Sequence, residues 1–567
     1  GRFPDWSYSH FLDTGEMAMA VAIGYDWCYD AYTEEQRQVI EEALYTHGVL
    51  VGHQTYYGEL DQYGAASWVG GNTTNWSVVC NGGITVASIA LFDKYPEMCA
   101  ENIMIGVRDV EAMFGEFYPS GAWKEGSSYW SYTIGYTAYM LDSLRACFNT
   151  DFNLSKAAGL DQTAFYALAV NGPVSINNYH DANEGKLDSP MLIWLSQQYN
   201  MPEITNIRLY QIESNGYLPK PYDLIWYDPA ITGTDFTLDK DMYLADTELI
   251  SLRGSWTDDS CTWISAHGGK AVENHSHLDN GTFVLDMLGE RWACDLGSDS
   301  YTLNGYFSST AKHQYYRLRP EGHNVYVINP NSGDGQSTSA FSEVEKMESK
   351  EKGSYAIINL SQSYADNASS ARRGYMLTDD RRSAVGRDEI SLTKPSNELY
   401  WFMHTRAEIQ VVDNKTVLLS RNGKMVQMMI DTNLPDYTVE VMDAKPLPTS
   451  PNPDGQNSNA GIKKVAIHAL GAAGDCYIQV KFVPYGDATA DEAFENVRLD
   501  DWNIEDGALE ELPELDMMYV DGQRLEGFMP TKTGYSMTAR YDTTVVPKIT
   551  ADAPADCAVE IDQAVTP

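Results

Sequence analysis

Apolar positions recur with a helical period from Asp13 to about Ile212, then alternate with polar ones from Met242 onward. The chain therefore predicts two halves of different construction. In the first half Met17, Ala20, Val21, Tyr25 and Trp27 fall at helical spacing, and Val39, Ile40, Ala43 and Leu44 follow the start signal Thr33-Glu34-Glu35. Further helices are expected at 75–93, 98–115, 125–148, 155–170, 188–199 and 202–213. Short breaks such as Tyr118-Pro119-Ser120-Gly121 and Asn171-Gly172-Pro173 separate them. Helices in such a series, with aromatic interiors, suggest hairpins stacked side by side as an incomplete α/α toroid.

Near Pro219–Asp239 the periodicity lapses into Pro, Tyr and Asp, which predicts a linker. Short alternating runs follow at Thr247–Arg253, Cys261–His267, Gly281–Met287, Arg291–Asp295, Asn324–Asn329, Ser354–Leu360, Gly374–Thr378, Arg382–Val385, Glu389–Thr393, Glu398–His404 and Ala407–Val412. Runs of this length between turn residues are the pattern of an antiparallel β-sandwich. The expected fold class is multidomain α+β: a toroid over 1–225, a linker over 226–241, an antiparallel sandwich over 242–435 and a smaller C-terminal β region over 436–567.

Composition narrows the function. At 567 residues with 43% hydrophobic and 21% charged content the chain is globular, with length for more than one core. No apolar run approaches the roughly 18 residues a membrane helix requires, so membrane insertion is not expected. The opening Gly-Arg-Phe-Pro carries no signal-peptide pattern and suggests a mature or trimmed start. The eight cysteines show no CxxC spacing, against a cysteine zinc module or a disulfide scaffold. A net charge of −41 argues against nucleic acid as a partner, and an anionic substrate would need a locally positive cleft. Part of that charge lies in Asp487–Asp516, with twelve acidic residues and one Arg. This run is expected to be a solvated acidic loop, with calcium binding as the alternative.

Three stretches carry candidate chemistry. In Glu273-Asn-His-Ser-His-Leu-Asp-Asn-Gly, His275 and His277 project to one face of an extended chain, and Asp295 lies at the end of the following hairpin. Two imidazoles and a carboxylate form a common zinc set, with His323 at the start of a strand as the best third ligand. Alternatively, the pair simply hydrogen-bonds within a loop. Tyr129, Tyr132 and Tyr136 share one helical face with Glu125 a turn earlier. Such a stripe suits a core, but phenols need partners for their hydroxyls and so also suit a polar cleft. In Gly70-Gly-Asn-Thr-Thr-Asn-Trp-Ser-Val-Val-Cys-Asn-Gly-Gly, Asn72 or Asn75 could cap the helix or bind a substrate carboxylate.

Four motifs together give the chain a resemblance to the heparinase II/III-like polysaccharide lyases. They are Asn274-His-Ser-His-Leu-Asp-Asn-Gly-Thr-Phe-Val-Leu-Asp with its downstream Asp-Leu-Gly, Tyr315-Tyr-Arg-Leu-Arg-Pro-Glu-Gly-His-Asn, Glu125-Gly-Ser-Ser-Tyr-Trp-Ser-Tyr and Asn75-Trp-Ser-Val-Val-Cys-Asn-Gly-Gly. The resemblance implies cleavage of a uronic-acid-containing acidic polysaccharide by β-elimination, giving unsaturated uronyl products. It implies Tyr132 as catalytic base and acid, with Tyr129 in reserve. Asn75 would stabilise the enolate, and His275 would act as partner base or carboxylate neutraliser. It further implies one structural zinc held by His277, Asp295 and His323, and a secreted or periplasmic bacterial location. Many members carry Asn-His where this chain has Asn75-Trp76, which leans the chemistry on Tyr132 and leaves Trp76 to stack on a sugar ring. Glu125, Tyr129, Tyr301 and Arg317 are further substrate-binding candidates. A uronyl C5-epimerase, or a glycan-binding or hydrolytic relative of the same fold, remains the alternative, and a homo-oligomer remains open.

Overall fold

The computed structural model describes residues 5–60, 67–231, 238–308, 311–486, 495–504, 515, 517–525, 545–553, 559 and 561. They fall into two compact units, 1–504 and 505–567.

The helical half is built around Asn75–Ala90, most of whose residues are buried, packed among the helices Leu12–Trp27, Pro96–Gly115 and Ser127–Phe148. Glycine makes the closest of these approaches possible. A Cβ at Gly83 would lie 2.2 Å from the Gly15 carbonyl oxygen, so the two backbones touch where no side chain fits. Helix starts follow local chemistry: a Thr33–Gln36 capping box opens Glu34–Leu44, and Pro96 opens Pro96–Gly115. The helix expected at 155–170 is instead two 3-10 turns, Leu154–Lys156 and Leu160–Gln162, followed by Thr163–Val170. Gly159 causes the break: its φ is 87°, and a Cβ there would lie 2.1 Å from the Phe117 carbonyl oxygen.

The β half forms a five-stranded, an eight-stranded and a four-stranded antiparallel sheet. Their facing sides share one core that includes Leu252, Phe283, Trp292, Tyr375, Trp401 and Phe482. The three short runs expected between 374 and 393 are two long strands, Ala368–Thr378 and Ser383–Leu392. Arg373 and Asp388 interrupt the apolar alternation, yet they are buried against each other at 2.6 and 2.8 Å and do not end the strands. The expected boundary at 436 also moves. Thr438–Asp443 and Lys463–Leu470 join the sheet of Glu398–Thr405, and Asp475–Pro484 lies inside the eight-stranded sheet. Only 505–567 separates, and its described strands Met517–Val520, Gln523–Arg524 and Ile549–Asp552 form a small sheet of their own. Of the acidic run, 487–494, 505–514 and 516 lie outside the described residues. The intervening Leu499, Trp502 and Ile504 are buried on Tyr355 and Ile357. Among the described residues no helix is long and apolar enough to cross a membrane.

The outer face of the five-stranded sheet is buried against the helical half, and this contact positions the site. Phe283–Met287 and Glu290–Ala293 form a hairpin closed by Leu288 and Gly289, both at positive φ as a two-residue turn of this hand requires. From it Asp286 accepts the Val174 amide at 3.1 Å, and Arg291 donates to the carbonyls of Ser175 and Ile176 at 2.6 and 3.0 Å. Residues 177–183 of the helical half are thereby pressed against 273–279 of the sandwich.

Candidate active site

A cavity of about 370 Å³ lies along this seam, lined by Ser128, Tyr129, Tyr132, Asp181 and Asn183 from the helical half and Ser298, Asp299 and Tyr301 from the sandwich. Gly126, at φ 90°, breaks the chain before Ser127–Phe148, whose first two turns present Ser128, Tyr129 and Tyr132 to the cavity. Tyr129 bridges the halves: its hydroxyl meets that of Tyr301 at 2.8 Å, and its ring stacks on His275 with centroids 3.8 Å apart. Burial pushes the Tyr129 phenol up to about 12, against the opposing pull of the Tyr301 hydrogen bond. Tyr136, expected on the same face, turns its edge to Tyr132 and packs among the core residues.

Tyr132 donates to a Glu16 carboxylate oxygen. Burial first, then that hydrogen bond and the Glu16 charge, raise its pKa far above the ordinary phenol value. All of these influences act in the same direction, so the phenol is held protonated.

His275 sits at φ 62°, a left-handed backbone uncommon for a residue with a side chain. Its carbonyl accepts the Asp181 amide at 3.1 Å, and its Nδ1 donates to Asp181 Oδ2 at 2.9 Å, leaving Nε2 as the available base nitrogen. Asp181 also takes His277 Nε2 at 3.0 Å and the Tyr306 hydroxyl. Burial would raise its pKa, but the hydrogen bonds from His275 and His277 outweigh this and hold it well below the usual carboxylate range.

Asn75 is 1% exposed and faces Glu125, not the cavity. Its backbone N–H and Nδ2 donate to Glu125 Oε2 at 2.9 and 3.0 Å, and Asn274 Nδ2 donates to Oε1 at 2.5 Å. Glu125 thus caps the Asn75–Ala90 helix from another element and ties it to the sandwich. With no exposed surface it is not a substrate contact, contrary to the expectation from its place before the tyrosine stripe. Asn72 accepts the Thr74 amide at 2.7 Å in a turn ahead of the helix. Trp76 packs edge-on to His10 with centroids 5.0 Å apart, away from the cavity lining. Arg317 donates to the Ser298 carbonyl at 2.6 Å and to Asn459 at 2.8 Å, shaping the wall from behind.

Beneath His275 lies a second, buried cluster. Ligand atoms of His277, Asp279 and His323 lie within 4.8 Å of one another, all buried. Asp295 is not part of this group: it accepts His323 Nδ1 at 2.7 Å and holds that ring from outside. His323 Nε2, His277 Nδ1 and Asp279 Oδ1 are buried without any hydrogen-bond partner. Buried polar atoms are seldom left so, and inner nitrogens bare while outer N–H groups rest on carboxylates is the arrangement of metal-binding histidines. The residues fit a zinc ion. Sequence reasoning missed Asp279, although the spacing that paired 275 with 277 extends to it. It also missed Asp181 and Glu16, for which no local pattern gives a signal.

The fold of a helical half followed by an antiparallel sandwich is shared with solved heparinase III and heparan sulfate lyase structures. A heparinase III structure superposes with a TM-score of 0.62 at 12% identity, covering 95% of this chain and 72% of that one. Heparan sulfate lyase HepC from Pedobacter heparinus gives 0.57 at 11% identity, covering 92% and 75%. Residues 261–447, within the sandwich, match the family described as heparinase II/III-like, C-terminal. No curated protein matches the chain.

Proposed function

We propose that the chain is a polysaccharide lyase that cleaves a uronic-acid-containing polysaccharide by β-elimination. The observation that carries this reading is a protonated phenol, Tyr132, in the cavity between the two halves, whose wall residues Tyr129 and Asp181 in turn stack on and orient the imidazole of His275. Elimination needs a base for the C5 proton and an acid for the departing O4. Tyr132, with its pKa raised, suits the acid. His275, with Nδ1 committed to Asp181, offers Nε2 as base. Asn75, with its amide on Glu125, positions the helix start.

Among the described residues, none lining this cavity is Lys or Arg, and the chain carries a net charge of −41. Neutral donors such as Ser128, Ser298 and the phenols meet the substrate carboxylate. Such a wall favours an unsulfated uronan over a densely sulfated one, because each additional anion would enter an acidic field without a cation to receive it. A substrate of this kind is met outside the cytoplasm, which accords with a secreted or periplasmic protein. We assign His277, Asp279 and His323 to a zinc ion whose role is to fasten the sandwich loops under His275, with Asp295 and Asp181 orienting the rings.

The test is incubation with sulfated and unsulfated uronic-acid polysaccharides while following the ultraviolet absorbance of the C4–C5 double bond. Absorbance growing fastest on unsulfated chains is the expected result. Proton exchange at C5 without absorbance would replace the lyase by an epimerase, and neither signal would remove both.

A further inference from the structure

Asp279 belongs to two clusters. Besides the group with His277 and His323, its carboxylate lies within 4.8 Å of ligand atoms of His180 and His267, both buried. Asp279 Oδ2 stands 3.3 Å from His267 Nε2 and 3.5 Å from His180 Nδ1. Ligand atoms placed tetrahedrally at zinc distances are separated by about 3.3 Å, so these spacings suit a shared ion.

His267 carries the same signature as the pair assigned above. Its Nδ1 donates to the Gly268 carbonyl at 3.1 Å, which turns Nε2 toward Asp279. That Nε2 is buried and makes no hydrogen bond. His180 adopts φ 60°, a strained backbone for a residue with a Cβ, and this turn brings both its ring and its amide to Asp279, the amide at 3.4 Å. Its Nδ1 has one further donor, the His277 amide at the long distance of 3.5 Å. Asp279 is fully buried, and its ion-pair partners among the described residues are these histidines and no Lys or Arg. A buried carboxylate among imidazoles, with its other oxygen unpartnered, calls for a cation. Both imidazoles also line a small cavity of about 20 Å³, room for a water as fourth ligand.

We propose that His180, His267 and Asp279 form a second transition-metal site, with Asp279 as a carboxylate bridge to the His277 and His323 site, so that the seam holds two ions. The ligands come from both halves: His180 from the helical half, the others from the sandwich. The second ion would clamp the strained His180-Asp181 turn that carries the orienting carboxylate of His275. The inference goes beyond the zinc reading above and depends on it only through the shared Asp279.

The full-length chain, stripped of metal, is titrated with cobalt(II) and followed by visible absorbance and by metal analysis after desalting. Two equivalents per chain are expected for the wild type, and saturation at one or none overturns the proposal. His267→Ala should fall to one equivalent, and an unchanged stoichiometry also overturns it. Should that variant not fold, the wild-type stoichiometry decides. His323→Ala separates the two readings: if it still binds two ions while His267→Ala loses one, the single-zinc assignment fails and the second site stands.

Discussion

His275 and His277 are separated by one residue and share Asp181, yet they stand in different media. His275 stacks on Tyr129 at the edge of an open cavity, beside Tyr301, which is 41% exposed. His277 is fully buried, with one nitrogen on Asp181 and the other bare. In the cavity wall, polar groups hydrogen-bond one another and keep a face toward solvent. In the cluster below, they are oriented from outside, and their inner atoms have no hydrogen-bond partner. The comparison teaches that residue type assigns neither role. An imidazole whose unpaired nitrogen faces water can move a proton, and one whose unpaired nitrogen faces other buried lone pairs can only gain from a cation.

The largest effect separating the two regions is expected from Tyr132→Phe. Removing a proton donor should lower turnover by about 10²–10⁴-fold, with the thermal midpoint unchanged, as judged by initial rates and calorimetry. Retained turnover would take Tyr132 out of the chemistry and make the cavity wall merely structural. His323→Ala should show the converse balance. It leaves Asp295 buried without its partner, at a cost of about 3–5 kcal/mol, read by denaturant unfolding. A fully stable variant would show that the cluster does not hold the seam.

Glu125→Gln tests whether the two regions are mechanically joined. The carboxylate accepts from Asn75 twice and from Asn274 once. An amide offers one acceptor oxygen and turns an N–H₂ toward a donor, so about 1–3 kcal/mol of stability should be lost. Because Asn274 precedes His275, kcat should fall as well. A change in kcat without loss of stability would mean that Glu125 acts otherwise than as a tie.

What was legible in the sequence was local. Tyr129, Tyr132 and the hairpin lie within a few residues of their partners, and spacing places them; His275 and His277, expected on one face of an extended chain, lie instead in a stretch without strand, with His275 at φ 62°. The toroid and sandwich follow from the change of period, because a helix and a half-buried strand impose different repeats on the same apolar residues. What was not legible depends on chain-distant pairing. Glu16 lies 116 positions from Tyr132, and Asp181 lies 94 from His275. Neither sits in a patterned context. Asp295 was expected as a ligand because a hairpin brings it to the histidines. It does arrive there, but at the outer nitrogen of His323, while Asp279 takes the inner place. Periodicity reports that a side chain is buried, not which atom of its neighbour it meets.

Glu16→Gln gives the smallest effect and the finest discrimination. Glu16 and burial both raise the Tyr132 pKa, so the wild-type phenol stays protonated well past the ordinary value of about 10. If Tyr132 is the acid, kcat/KM should show no alkaline fall near that value, because the proton it must give remains bound. Replacing Glu16 by Gln removes the negative charge and weakens the hydrogen bond that favours the protonated form, leaving burial and the smaller influences of Tyr136 and Cys80. Any alkaline fall should therefore come into view in the variant before it does in the wild type, while the plateau rate changes little. A limb that rises with pH in the wild type would instead identify Tyr132 as the base, deprotonated before it acts. The variant would then be the more active enzyme at neutral pH, because less free energy would be needed to form the phenolate.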